Sequence, residues 1–134
     1  MIIDGENAVF GRLGTVVAKK ALLGEAIDII NCEKILISGK AEVVFAKYMR
    51  LKKIGVPQKG PFYSVNPEKF VKRLLRGMLP YKQAKGREAF ERIKCYKGVP
   101  AKFEGKPAEK VAQSELRVNA VKIEEICKYI GGNK

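Results

Sequence analysis

The chain has 134 residues, of which 46% are hydrophobic and 31% are charged, and its formal net charge at pH 7 is +13. This composition is typical of one globular domain and excludes a disordered chain or a small fold that depends on disulfides. The absence of histidine excludes mechanisms that need a histidine base and removes the commonest metal ligand. A balance this basic indicates a polyanionic partner, either nucleic acid or an anionic membrane surface.

The first half of the chain predicts alternating strands and helices. Ile-rich segments indicate strands at 1–4, 26–31 and 33–38, and apolar residues at helical spacing indicate helices at 11–24 and 40–54. Gly24 suits the position just past the end of the first helix, and Ser38 is a plausible N-cap for the second. The residues assigned to the buried faces are Leu13, Val16, Val17 and Leu23 in the first helix and Ala41, Val44, Phe45, Tyr48 and Leu51 in the second.

The second half begins with a loop at 55–67, which holds three prolines and two glycines. A helix follows, since Asn66 is an N-cap and Pro67 suits the first helical position. This helix should end at Leu79, because Pro80 disfavours helical geometry at the preceding residue. Further on we predict a helix at 85–94, a strand or turn at 95–100, an exposed link at 101–112, and within 115–132 an extended piece and a helix that buries Ile123, Ile126, Cys127 and Ile130 and ends at Gly131.

Apolar strands that alternate with helices predict an α/β layer structure around a small, mostly parallel sheet. The three cysteines, Cys32, Cys95 and Cys127, are too widely and unevenly spaced for a disulfide framework or a zinc motif. We therefore expect reduced thiols in a cytosolic protein, with no metal and no cofactor. The sequence has no apolar run near the ~20 residues of a membrane span, and its start lacks the basic segment of a signal peptide.

The helix predicted after Asn66 has two different faces. On a wheel at about 100° per residue, its apolar residues fall on one side and its cations on the other. The apolar side holds Phe70, Val71, Leu74, Leu75 and Met78, and the cationic side holds Lys69, Lys72, Arg73 and Arg76. Solvated helix faces usually mix both signs, because opposite charges four residues apart stabilise a helix and like charges oppose it. A merely solvated face is the alternative interpretation.

The positive charge is concentrated in one region of the chain. Residues 47–87 contain twelve Lys or Arg and one acid, Glu68, and so carry +11 of the net +13. Such a region is typical of a surface that binds a polyanion by releasing its counterions. Within it, "QKGPFYSV" could present Phe62 and Tyr63 beside Lys59 for stacking on unpaired RNA bases. A core position for one or both rings is an equally good interpretation.

The stretch "VKRLLRGMLPYKQAKGREAFERIKCYKGVP" resembles the universal ribosomal protein L13 family of the large subunit, in its archaeal and eukaryotic branch. Its most specific part is "RGMLP" followed by a basic helix and "KCYKGVP". The blocks "IDGENAVFGRLGTVVAKKAL", "CEKILISG" and "KGPFYSVNP" resemble further family blocks in the same order. The resemblance covers residues 1–100 and is less specific beyond Pro100.

This resemblance implies a three-layer α/β/α fold with a four-stranded parallel sheet. It implies a structural protein of the cytoplasmic ribosome that binds large-subunit rRNA, contacts neighbouring ribosomal proteins and supports subunit assembly, with no enzymatic activity, no membrane and no small-molecule substrate. Residues 1–100 would form the RNA-binding core, and 101–134 an extension packed on the same domain. The candidate RNA-binding residues are Arg12, Arg50, Lys52, Lys53, Lys59, Phe62, Tyr63, Lys69, Lys72, Arg73, Arg76, Lys82, Lys85 and Arg87.

Two other classes of protein fit the sequence less well. A nucleotide-binding enzyme would use the glycines of "MIIDGENAVFGRLG", but the spacing of Gly5 and Gly11 matches neither phosphate-binding motif, and Asp4 has no obvious acid or base partner. A DNA-binding module would offer side chains for base edges at one helix tip. A membrane-surface helix would need its aromatic and Leu residues free, whereas here the core requires them.

Overall fold

The computed structural model describes residues 1–55, 58, 65–111 and 119–131. The strands are β1 (Ile2–Asp4), β2 (Ile27–Ile30), β3 (Leu36–Ser38), β4 (Ile93–Cys95), β5 (Glu109–Lys110) and β6 (Ala120–Lys122). The helices are α1 (Phe10–Leu22), α2 (Ala41–Lys53), α3 (Pro67–Arg76), α4 (Ala84–Arg92) and α5 (Ile123–Ile130). Short 3-10 turns lie at Cys32–Lys34 and Ala101–Phe103.

A four-stranded sheet in the order β4-β2-β1-β5 forms the centre of the fold, and all of its neighbouring strands run parallel. Ile3 in β1 and Ile27 and Ile29 in β2 are fully buried, because parallel strands are covered on both faces. Helix α1 packs against α4, whereas α3 and α2 both pack against α5. The predicted three-layer α/β/α class is confirmed.

The predicted third strand lies outside this sheet. β3 pairs antiparallel with β6, and Leu36 lies opposite Lys122 in a separate two-stranded ribbon. Between β2 and β3, Asn31 adopts a left-handed conformation with φ 55° as the N-cap of the 3-10 turn, which changes the direction of the chain. The prediction of a strand here was correct, but its assignment to the main sheet was wrong.

Two segments whose secondary structure was predicted differently supply the edge strands. The helix predicted at 85–94 ends at Arg92, and β4 follows at once, because Ile93 is fully buried opposite Ile27. The exposed link at 101–112 contains β5, whose Glu109 pairs with Ile3 and remains exposed. Pairing of the backbone therefore extended the sheet where side-chain pattern gave no signal.

Some helix boundaries also differ from the predictions. Gly24 follows α1 with φ +101°, as predicted, but Leu23 is 74% exposed at the end of that helix and was wrongly assigned to the core. Ser38 is the last residue of β3, and the N-cap of α2 is Lys40. Helix α3 ends at Arg76 rather than Leu79. The four residues predicted to be buried in α5 are all buried, and Gly131 ends this helix.

Across the described ranges, the structure contains no helix with the length and apolar character needed to cross a membrane.

Candidate nucleic-acid interface

Helix α3 separates an apolar face from a cationic one. Phe70, Val71 and Leu75 are fully buried, whereas Lys69 and Arg76 are exposed. The half-buried cations Lys72 and Arg73 complete the basic face. The predicted core positions Leu74 and Met78 require correction: Leu74 is only half-buried at the margin of the core, and Met78, which lies beyond the end of the helix, is 39% exposed.

Glu68, the single acid in residues 47–87, lies in the first turn of α3. The Asn66 side chain accepts a hydrogen bond from the Glu68 backbone N–H at 3.1 Å, and Pro67 occupies the first helical position. The Glu68 carboxylate in turn accepts the Lys97 backbone N–H at 2.8 Å. Because this carboxylate is bound to the turn after β4, it secures the position of α3 against the sheet.

Two aromatic rings support cations of α3. The Lys72 Nζ lies 4.8 Å from the centroid of the Phe90 ring in α4, and the Arg76 Cζ lies 4.9 Å from that of Tyr81. Such contacts stabilise a cation without neutralising it. The ring of Phe90 also lines a groove of about 270 Å³ together with Lys69, Lys72, Arg73 and Arg76.

The turn between α3 and α4 brings a second set of cations onto the surface. Leu79 is buried and anchors the turn in the core. Gly86 in α4 lies directly on the Pro80 backbone, because a Cβ there would collide with the Pro80 carbonyl group. The exposed cations that follow are Lys82, Lys85 and Arg87. We call the seven residues Lys69, Lys72, Arg73, Arg76, Lys82, Lys85 and Arg87 the basic surface.

Most of the basic surface is electrostatically uncompensated. Within the described ranges, Lys69, Lys82, Lys85 and Arg87 form no ion pair. Helix α4 has no acid in its first turn, where carboxylates usually stabilise a helix, and instead places cations there. A bound anion would relieve both the mutual repulsion of these cations and the unfavourable position of the α4 cations near the helix N-terminus.

The candidates on α2 have different environments. Tyr48 packs edge-on against Phe70 of α3, with ring centroids 5.2 Å apart, so the last turns of α2 lie beside α3. Arg50 and Lys53 are exposed there. The Lys52 ammonium instead donates a hydrogen bond to the Ile130 carbonyl at the end of α5. A cation at a helix C-terminus is stabilising, so Lys52 has a structural role.

Comparison with known proteins identifies the family. The family model for Ribosomal protein L13 matches residues 1–102. The chain belongs to the ribosomal protein L13 family. It is 44% identical over 86% of its length to large ribosomal subunit protein uL13 of Methanopyrus kandleri, covering 74% of that protein. It is 36% identical over 97% of its length to the uL13 protein of Archaeoglobus fulgidus, covering 86%, and 48% identical over 75% to that of Methanococcus maripaludis, covering 76%.

The match to the L13 family covers the whole basic surface and ends before β5. The family is a structural and non-enzymatic one, and the region around Asp4 agrees with this. The Asp4 carboxylate accepts hydrogen bonds from the Glu6 backbone N–H at 2.9 Å and the Asn31 side-chain amide at 3.0 Å. It therefore holds the turn after β1 in place.

Four further candidates on this L13 family chain are separated from the others or not described. Arg12 is exposed in the first turn of α1, whose N-cap Val9 offers no side-chain acceptor. Lys59, Phe62 and Tyr63 lie outside the described residues, so both interpretations of the two rings stay predictions.

One cation near the basic surface was missed in the sequence. Lys94 in β4 is exposed and lines a second groove of about 270 Å³ together with Lys69 and Lys72. The sequence pattern placed Lys94 at the end of a helix, where it would not adjoin α3. Adjacency of α3 and β4 is a tertiary property, and no local signal could have revealed this position.

Proposed function

We propose that this chain is a component of the large ribosomal subunit and that it binds large-subunit rRNA through the basic surface. The observation that carries the proposal is the division of α3 into a buried apolar face and an exposed cationic face. The cations continue onto the turn and α4, and Arg50, Lys53 and Lys94 lie on elements adjoining α3. Neutralising phosphates with such cations releases condensed counterions, which is the main source of affinity for nucleic acid.

The distribution of these cations favours folded RNA over a DNA duplex. They lie on the last turns of α2, on α3, on the following turn and on α4, with Lys94 on a strand edge. A duplex groove reader concentrates its contacts on one inserted helix or ribbon, whereas structured RNA is recognised by shape and by its phosphates. The names of the uL13 relatives support the large subunit as the site of action. We further propose that neighbouring ribosomal proteins are partners and that the chain supports subunit assembly in the cytoplasm.

We also infer a single domain in which residues 1–100 form the RNA-binding core and 101–134 complete it. Three contacts of the described part of this extension support the inference. β5 adds a strand beside β1, β6 pairs with β3, and α5 packs against α2 and α3. Among the described residues, the helices that pack against α5 are α2 and α3, and both lie within residues 1–100.

The direct test is sedimentation of the endogenous protein through a sucrose gradient. We expect it to travel with the large subunit and to leave that fraction when the subunit is stripped by high salt. Sedimentation in the free-protein fractions alone, at physiological salt, would contradict the proposal.

A charge reversal tests whether the residues of the basic surface bind rRNA. We expect Arg76→Glu to lower the affinity for large-subunit rRNA roughly tenfold or more, because repulsion replaces a charge-assisted phosphate contact. Its thermal stability should change little, since Arg76 is exposed and loses only its contact with Tyr81. Lys106→Glu is the matched control, because it makes the same change in net charge at an exposed residue in the turn before β5, which lies at the opposite edge of the sheet from β4. Equal losses in filter binding for both variants would show that net charge alone governs the affinity.

A further inference from the structure

The fold brings together two cysteines that are far apart in the sequence. Cys32 begins the 3-10 turn after β2, and Cys95 is the last residue of β4. β4 pairs with β2, and Cys95 lies opposite Ile29 in that register. Both thiols are free, Cys32 is fully buried and Cys95 is half-buried.

Backbone hydrogen bonds hold Cys32 beside Cys95. The Ile29 carbonyl accepts the Tyr96 backbone N–H at 2.8 Å and also the Cys32 thiol at 3.5 Å. The Cys32 backbone N–H donates to the Tyr96 carbonyl at 3.2 Å. The neighbouring Cys95 thiol, followed by burial, raises the pKa of the Cys32 thiol far above its ordinary value.

We propose that Cys32 and Cys95 are a redox pair that forms an intramolecular disulfide when the protein meets hydrogen peroxide. The Cys32 backbone N–H bonds to the carbonyl of Tyr96, the residue after Cys95, and this brings the two cysteine backbones close together. A disulfide requires Cα atoms within about 4.4–6.8 Å. Formation of this disulfide needs no metal and no cofactor.

The exposure of the two thiols assigns their roles. Cys95 lines the groove that it shares with Lys69, Lys72 and Lys94, so peroxide can reach it from solvent. The Cys95 sulfur attacks one peroxide oxygen, the O–O bond breaks, and the other oxygen leaves as water, which gives a sulfenic acid. The Cys32 sulfur then attacks the Cys95 sulfur, the S–O bond breaks, and the second water leaves with the Cys32 proton. Two thiols lose two electrons, and one peroxide is reduced to two waters.

The bond would close a covalent ring from residue 32 to residue 95. This ring contains α2, α3 and α4 and therefore the whole basic surface. A disulfide that closes a long loop restricts the unfolded chain strongly, so oxidation should raise the melting temperature by about 5 °C or more. Oxidation should therefore stabilise the fold that positions the basic surface.

Peptide mapping of the oxidised full-length chain tests the connection. Trypsin places the three cysteines in separate peptides, 21–34, 95–97 and 123–128, because a Lys precedes and ends each one. After treatment with hydrogen peroxide, we expect peptide 21–34 linked to 95–97 with the loss of two hydrogens. Peptide 123–128 should keep its thiol, because Cys127 is buried in α5 and does not line the groove in which peroxide meets Cys95. Sulfinic or sulfonic acid at Cys95 with an intact Cys32 thiol, or a link to Cys127, would overturn the proposal.

Thermal melts of oxidised and reduced protein give a second readout. Oxidation should raise the melting temperature of the parent and of Cys127→Ser by the same amount, and should leave that of Cys95→Ser unchanged. Cys95→Ser is the conservative variant for this purpose, since Cys95 is half-buried and Cys32 is fully buried. A parent whose melting temperature does not respond, while mapping shows no linked peptide, would equally refute the pair.

Discussion

Two neighbouring leucines of α3 show that residues on one face of a helix can be buried to different depths. Leu74 and Leu75 are neighbours in sequence, but Leu75 is fully buried and Leu74 is half-buried at the margin of the core. The helical wheel drawn from the sequence placed both leucines on the apolar side, because a wheel does not distinguish the centre of a helix face from its edge. How deeply each leucine is buried depends on which elements α3 packs against.

We therefore expect unequal costs when each leucine is truncated. Leu75→Ala should lower the free energy of unfolding by about 2–5 kcal/mol, through lost burial and the cavity that remains. Leu74→Ala should cost less, because part of this side chain already contacts solvent. Urea denaturation of both variants measures the difference, and both should keep their rRNA affinity while folded. Equal losses would show that Leu74 is as deep in the core as Leu75.

At the scale of elements, the join between α3 and α4 depends on a proline and a glycine. Helix α3 ends at Arg76, before the restriction that Pro80 imposes on the preceding residue, and Leu79 holds the intervening turn in the core. Helix α4 then packs so closely on this turn that Gly86 lies against the Pro80 backbone. This contact sets the position of Lys85 and Arg87 relative to α3.

A methyl group at Gly86 should disrupt this join. Gly86→Ala would place its Cβ against the Pro80 carbonyl and 2.9 Å from the Tyr81 nitrogen, and backbone cannot move aside as a side chain can. We expect a loss of about 2 kcal/mol or more in the free energy of unfolding, together with weaker rRNA binding. Gly77→Ala is the matched control, since its φ is −66° and a Cβ there would meet the Leu74 carbonyl oxygen at an ordinary contact distance of 3.5 Å. If Gly86→Ala melts like the parent, α4 does not depend on this contact.

For the whole molecule, the distribution of charge matters more than its sum. Residues 47–87 carry +11 of the net +13, and their described part contains the end of α2, the whole of α3 and the start of α4, whereas the remaining cations and acids nearly balance. If the cations lay on a basic tail outside the core, binding or release of RNA would not affect the stability of the fold. Here the same helices provide core residues and cations, so rRNA binding should also stabilise the folded chain.

The salt dependence of rRNA binding reports on this arrangement. If six or more phosphates are neutralised, the logarithm of the binding constant should fall with the logarithm of salt concentration with a slope on the order of −4 or steeper. Arg76→Glu should make the slope shallower by about one unit, and Lys106→Glu should leave it unchanged. Titrations at several salt concentrations measure both effects. A slope near zero for the parent would mean that the basic surface faces solvent or protein in the complex.

Much of this protein can be inferred from its sequence because some signals are local. Hydrophobic periodicity gives the helices and the Ile-rich strands, Asn66-Pro67 gives the start of α3, and the charge of 47–87 indicates a polyanionic partner. These properties depend on residues within a few positions of each other, so the order of residues is sufficient to establish them.

Other properties depend on contacts between distant residues and were decided only by the tertiary structure. The edge strands β4 and β5 exist because their backbones pair with β2 and β1, and β3 leaves the main sheet to pair with β6. The same long-range pairing places Lys94 beside α3 and Cys95 beside Cys32, and the packing of α5 engages Lys52. Backbone pairing carries no side-chain period of its own, and for that reason the sequence determined which residues are basic or apolar, whereas the fold determined which of them meet.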